Sequence, residues 1–485
     1  MNRIQFRVGA IGGRWRLGVA AATAALVSVA LWAVPMAAPA NPSATPAATG
    51  AATANQTTYQ TTQQYVIRNY PRYMTYFQQS NGTPNRLVGP AGMGPQYGIV
   101  VAINDDTLYA SAYVDVSNGP QIFTIPKPGT VYSLLTLDMF GTVFKTTIPA
   151  QGYGRYALVQ KGYSGSIPAG TVRVEVPYRN SVFIVRADKY SASGQNLTQA
   201  AQLLRTNLRL AAMADYLKDP TSGRTTLLPI GFLAYRMKSI TDDAATLAPT
   251  GFLARLQTAV NDPTTQPKTT SDQQLAAAFD RTYAAAKSAE AQGDVGPLNA
   301  MAQATRDAHA LIVDNWLSHT DATGWIHPDN VGNWGTDYLD RASLSEYIQY
   351  GNDASAAQYF DAFADHNGAP LDTHVVRFYQ IKFTKDEIPN ATRFWSLTAY
   401  LPGGITLVPN RLNKYVVAGY TPGLKKAADG SITVTISAVK PPTVPTANWL
   451  PAPPGPFSLL LRVYGPTGNT TQGYTPPPIQ PYGAF

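Results

Sequence analysis

The sequence predicts a mainly β protein in which two β-sandwich blocks are separated by a helical segment. Apolar residues alternate with polar ones in two stretches, 97–188 and 374–466, as half-buried strands require. The chain between them changes to helical spacing with capping signals. Composition agrees: 39 Gly, 38 Pro and 28 Tyr in 485 residues suit short strands joined by tight turns.

The chain opens with a basic segment, 1–16, followed by an uncharged apolar run, 17–34, and the small residues Ala38-Pro39-Ala40. This pattern reads as a signal peptide over 1–40 and so as export to the periplasm, envelope or exterior. An uncleaved N-terminal anchor is the alternative, because 18 apolar residues approach the spanning minimum. Residues 41–62, rich in Ala, Thr and Pro, read as a flexible linker. From 63 to 79, Tyr65, Val66, Tyr70, Tyr73 and Phe77 recur at helical spacing, with Pro71 as a bend or a new helix start.

In the first β block (domain 63–190), Leu108, Ala110, Ala112 and Val114 alternate with Tyr109, Ser111, Tyr113 and Asp115. Further strands are expected at 121–125, 131–140, 156–160, 172–176 and 182–186, separated by Gly/Pro turns. The insertion, 191–330, is expected to be helical, with that character reaching about 365. Ser271–Gln274 resembles a capping box, Pro297 suits a helix start, and 336–350 gives another helix. The second block (domain 331–466) alternates over 375–383, 393–401, 432–437 and 457–464, with Ala428-Asp429-Gly430 as a hairpin turn. The Pro/Gly-rich tail, 467–485, is expected to cover the surface without regular structure.

The formal charge is +8, of which the leader arginines Arg3, Arg7, Arg14 and Arg16 supply four, leaving +4 and no basic run. That disfavours a nucleic-acid partner. With no Cys, thiol nucleophiles, thiolate zinc sites, iron–sulfur clusters and disulfides are excluded.

Many short motifs, in order, resemble a bacterial family that combines domain of unknown function 1254 with domain of unknown function 1214. The first is carried by Asn104–Tyr109, Tyr113-Val114-Asp115 and Leu137–Phe140. The second is carried by Gly335–Leu339, Phe394–Thr398, Leu407–Asn410, Asn413–Tyr415, Thr421–Leu424, Ala428–Ser431, Asn448–Pro453 and Leu461–Tyr464. Phe140-Gly141-Thr142 replaces the family's tryptophan-containing turn, and Val417-Ala418-Gly419 its usual Ile-Gly. The resemblance implies two jelly-roll-like antiparallel β-sandwich domains with an α-helical segment, and no established reaction.

No nucleophile elbow, zinc-protease motif or phosphate loop is present; Gly162–Ser166 and Gly89–Gly94 read as turn and loop. His319, Asp321, His327 and Asp329 have residue types that bind divalent metals, but a polar turn after a helix explains them better. The same turn reading applies to His366 and His374, so no metal site is assigned and no cofactor is identified. Asn104, Asp106, Tyr109 and Asp138 are the candidate ligand-binding residues, expected to line one polar pocket in the first block. Polar groups among apolar strand residues need a partner or solvent. The structural alternative is that Asp106 caps a turn and Asp138 pairs with Arg173 or Arg186. The functional expectation is an exported ligand-binding or structural protein whose partner is a small molecule or a carbohydrate. Two alternatives stand beside it: a hydrolase using an Asp/Tyr or His/Asp site, and self-assembly into a homo-oligomer.

Overall fold

The structure, a computed structural model, describes residues 46–233, 236–265, 269–403, 405–471 and 473–484. The expected signal peptide lies outside the described residues. The chain divides into two compact units, Met1–Gly50 and Ala51–Phe485. Of the first unit only the opening of a helix is described; the second holds the strands and helices that build the fold.

Helix α1 (Pro46–Ser80) occupies most of the stretch expected to be a flexible linker. Residues 51–70 contain neither Gly nor Pro, and Ala and Gln are good helix formers. Downstream, Tyr65, Val66, Tyr70, Tyr73 and Met74 are buried, so packing stabilises a helix that propensity alone would leave marginal. Pro71 falls inside it.

The first sandwich comprises β1 (Val88–Pro90), β2 (Thr107–Asp115), β3 (Gln121–Ile125), β4 (Tyr132–Leu137), β5 (Gly154–Gln160), β6 (Val172–Val176), β7 (Asn180–Asp188), β8 (Arg209–Ala212) and β9 (Thr226–Leu228). Its sheets run β4-β7-β2-β1-β9 and β6-β5-β3-β8. Pairing is antiparallel except for β1 with β9 and β5 with β6. Strands β8 and β9 lie in the segment expected to be helical. At four and three residues they are too short for a periodic signal.

The helical layer comprises α2 (Thr198–Asn207), α3 (Met213–Lys218), α4 (Met237–Thr246), α5 (Pro249–Val260), α6 (Thr270–Ala291), α7 (Gly296–Ser318) and α8 (Tyr338–Tyr347). Helix α6 does open on a capping box, formed by Thr269 and Asp272 rather than by Ser271 and Gln274.

The second sandwich comprises β10 (Ala357–Ala362), β11 (Val376–Phe383), β12 (Ala391–Leu401), β13 (Thr406–Leu407), β14 (Val416–Ala418), β15 (Ile432–Ser437), β16 (Trp449–Pro451), β17 (Ser458–Pro466) and β18 (Gln480–Ala484). Its sheets run β10-β17-β12-β13, with β14 also on β12, and β16-β15-β11-β18. Strand β18 corrects the expectation of an irregular tail, since it pairs antiparallel with β11 and Ile479 is fully buried. The edge of β11 offers unpaired backbone groups that the tail satisfies.

Each sandwich has its own core. Leu108, Ala110, Val114, Phe183 and Val185 face inward in the first; Trp395, Leu397, Leu459, Leu461 and Val463 do so in the second. The opposite faces of β2, β7, β12 and β17 are also buried. Tyr109, Val182, Ile184, Phe394, Tyr400, Leu460 and Tyr464 join one large cluster with α1 and the helical layer. The two sandwiches therefore meet outer face to outer face. No helix among the described residues is long and apolar enough to cross a membrane.

Candidate functional site

The segment leading into β2 lies against the outer face of β12 and β17. Tyr400 donates to the carbonyl of Ile103 (2.7 Å), and Arg462 donates to the carbonyl of Ala102 and to the Tyr400 hydroxyl (2.7 Å). Asn104 folds its own turn, Oδ1 accepting from the amides of Asp106 (3.1 Å) and Thr107 (3.2 Å), while Nδ2 donates to the Tyr464 hydroxyl (3.0 Å). Asp106 accepts from Ser396 (2.8 Å) and from Tyr420. Beside them, Arg393 donates from Nε to Asp188 (2.9 Å). Asn104 and Asp106 thus seal the junction between the sandwiches.

Asp138 organises the turn after β4, accepting from the amides of Phe140 (2.8 Å) and Thr142 (2.9 Å). Burial raises its pKa against the lowering effect of Arg341 and these amides, so Arg341, rather than Arg173 or Arg186, is its cationic neighbour. Of the four candidates, Tyr109 alone lines the main cavity; Asn104, Asp106 and Asp138 are engaged elsewhere.

That cavity, about 220 Å3, lies over the outer face of β7, β2, β1 and β9. Period-two geometry aims Tyr109, Ser111 and Tyr113 of β2 and Val182, Ile184 and Arg186 of β7 at the same side. The end of α1 and residues 97–100 cover it, contributing Gln78, Tyr97 and Ile99, and Tyr350 closes another wall. Gln78 ties the cover together. Its Oε1 accepts from Tyr350 (2.5 Å) and Tyr113 (3.1 Å), and its amide donates to the carbonyl of Ile99. Burial raises the pKa of Tyr97, Tyr113 and Tyr350, so their hydroxyls stay protonated and able to donate.

A second polar cluster is buried among α1, α4, α7 and α8. Lys238 contacts Asp242 (3.0 Å) and Glu346, His309 lies 3.2 Å from Asp242 and 3.7 Å from Glu346, and Tyr70 donates to Glu346. Burial opposes the charge on His309, but its bonds to Asp242 and Glu346 prevail and raise its pKa to about 9. Burial likewise opposes the charge on Glu346, yet Lys238 and His309 hold its carboxyl below the usual range. Donor atoms of Asp242, His309 and Glu346 lie within 4.8 Å of one another, close enough to share a cation. The Lys238 ammonium already fills that role, and two acids balance two bases.

The His/Asp loop is a turn. Asp321 accepts from the amides of Thr323 (2.8 Å) and Trp325 (3.0 Å), His327 bonds the carbonyl of Tyr359 (2.7 Å), and Asp329 is almost fully exposed. Sequence reasoning missed Gln78, Tyr97, Arg186 and Tyr350 as cavity residues. Arg186 alone had a signal, being the one charge in the otherwise uncharged run 180–187.

Residues 84–212 match the family described as "Protein of unknown function (DUF1254)", and residues 356–468 match "Protein of unknown function (DUF1214)". No curated protein matches the chain. The crystal structure of the VPA0106 protein from Vibrio parahaemolyticus is similar in fold, with 18% identity, a TM-score of 0.54, and coverage of 88% of this chain and 100% of that one. An uncharacterized protein from Burkholderia cenocepacia aligns at 14% identity and a TM-score of 0.42 over 89% of this chain and 95% of its own.

Proposed function

Because the chain belongs to the family that joins a DUF1254 domain to a DUF1214 domain, a description that names no activity, we propose its function from the cavity: it is an exported protein that binds a small organic molecule. One observation carries this reading: a partly enclosed, aromatic-walled cavity of about 220 Å3 with hydroxyl, amide and guanidinium groups at its edge. Ligand sites are typically concave, mainly apolar and equipped with a few placed polar groups. The volume exceeds the roughly 150 Å3 that admits benzene. Export is part of the same proposal and is supported by the basic and apolar leader of residues 1–34.

The binding test is a thermal-shift screen of neutral and charged ring-sized compounds on the wild type and on Ser111→Trp. Ser111 faces the cavity between Tyr109 and Tyr113, so an indole there fills the space. Binders should raise the wild-type melting temperature and leave the variant unmoved. Equal shifts in both proteins, or none in the wild type, would refute the reading. For export, intact-mass analysis should find a new N-terminus near Asn41; retention of Met1 in a membrane fraction would establish an anchor instead.

A further inference from the structure

We propose that the cavity selects small monocarboxylates with a flat apolar body, and that Arg186 receives the carboxylate. This deepens the reading of the cavity as a ligand site and rests on it. Among the residues lining the cavity, Arg186 and Arg86 carry charge and no Asp, Glu or His is present. Arg86 is exposed at the rim and Arg186 is 5% exposed at the wall, so the only charges on the lining are positive.

Arg186 is positioned but not saturated. Nη1 donates to Asn352 Oδ1 (3.0 Å) and Nη2 to the carbonyl of Tyr350 (2.9 Å), which fix the plane of the guanidinium. Nε is buried out of reach of the cavity, with the Tyr109 phenol as its neighbour, while Nη1 and Nη2 each keep a second N–H. No carboxylate pairs with this cation among the described residues, since Asp188, two positions along the same strand face, is engaged by Arg393. Arg462, also buried at the junction, differs: its donors reach Ala102, Tyr400 and Thr398.

A buried cation without a carboxylate partner is costly, and an incoming carboxylate supplies that partner. Burial works against the charge on Arg186, while the Tyr464, Tyr109 and Tyr359 phenols offset it and keep the group cationic. The Tyr109 ring lies 5.5 Å from the guanidinium. The rest of the ligand meets Val88, Val182, Ile184 and Leu228, an apolar surface that favours a flat hydrocarbon body over a sugar.

Benzoate and benzamide form a matched pair that differs in charge and not in shape. Calorimetric titration of the wild type should show benzoate binding at least about tenfold more tightly than benzamide, as a charge-assisted bond to a desolvated guanidinium requires. Arg186→Met should abolish that preference, with benzoate then binding no more tightly than benzamide. Equal wild-type affinities would overturn the carboxylate assignment while leaving the cavity as a neutral-ligand site. A preference that survives in Arg186→Met would overturn the role of Arg186. Failure of both compounds to bind would also overturn the inference, and the broader screen with Ser111→Trp then judges the cavity separately. The wild-type comparison decides even where Arg186→Met does not fold.

Discussion

Asp106 offers the sharpest test of how the two sandwiches are joined. Its carboxylate is 1% exposed and accepts from Ser396 and Tyr420, both buried and both on the second sandwich. Asp106→Ala removes two hydrogen bonds to a charged acceptor, each worth about 1.5–3 kcal/mol, and strands two buried hydroxyls. It also deprives the buried Arg462 of a nearby negative charge. The expected loss is about 3–5 kcal/mol. Tyr420→Phe removes one of the bonds, so the double mutant should lose less than the sum of the singles by about 1.5–3 kcal/mol. Urea denaturation of the four proteins, followed by Trp fluorescence and far-UV circular dichroism, measures this cycle wherever the two probes coincide. Additivity within about 0.5 kcal/mol would refute the direct bond and the junction built on it.

Stability should fall as pH rises from 6.5 to 9. The folded-state pKa of His309 is raised to about 9, so its contribution is fully present below its unfolded value near 6.5 and is lost as pH passes through 9. The full effect is up to about 3 kcal/mol, and urea midpoints of His309→Gln should lack this slope. Burial raises the Asp361 carboxyl to about 7, so the folded state holds a proton that the unfolded state releases near 4. Its contribution weakens the fold between pH 4 and 7, and carboxyl titration by NMR should find this group still protonated at pH 6. A Cβ at Gly89 would collide with the carbonyl oxygen of Tyr109, so Gly89→Ala should cost about 1–3 kcal/mol on thermal melting; an unchanged melting temperature would contradict the close approach of β1 to β2. Truncation after Gly473 should lower stability and promote aggregation, seen by light scattering, because it bares the edge of β11, removes buried Ile479 and leaves the Trp325 indole without the Pro477 carbonyl.

The sandwich junction bears on the proposed ligand site. Arg186 is oriented by Asn352 and Tyr350, which lie between α8 and the second sandwich, although its strand belongs to the first. A ligand held by Arg186 is thereby in contact, through one side chain, with both halves of the molecule. Helix α1 adds a third support, since Gln78 reaches Tyr113 on β2 as well as Tyr350 and Gln349.

Alternation of residue types determined which side chains of β2, β12 and β17 share a face, and an apolar run marked β7, so these strands were legible one by one, together with the helical middle. The family motifs were legible too, because they are runs of adjacent residues. Tyr109 was placed correctly on the polar-looking face of β2, yet what covers that face was not readable. A period of two states only that Tyr109, Ser111 and Tyr113 point the same way; solvent, a helix or another sheet would satisfy it equally. The continuous apolar run Val182–Val185 hinted at burial on both sides without naming the neighbour. Tertiary structure decided the rest. It closed Asn104 and Asp106 into the junction with Ser396, Tyr420 and Tyr464, some 290 to 360 residues away along the chain. It also left Arg186 at the wall of a cavity with no carboxylate partner among the described residues. Local sequence sets propensity and face, but the partner of a buried polar group is chosen by packing between distant segments, where the cost of leaving it unpaired decides the outcome.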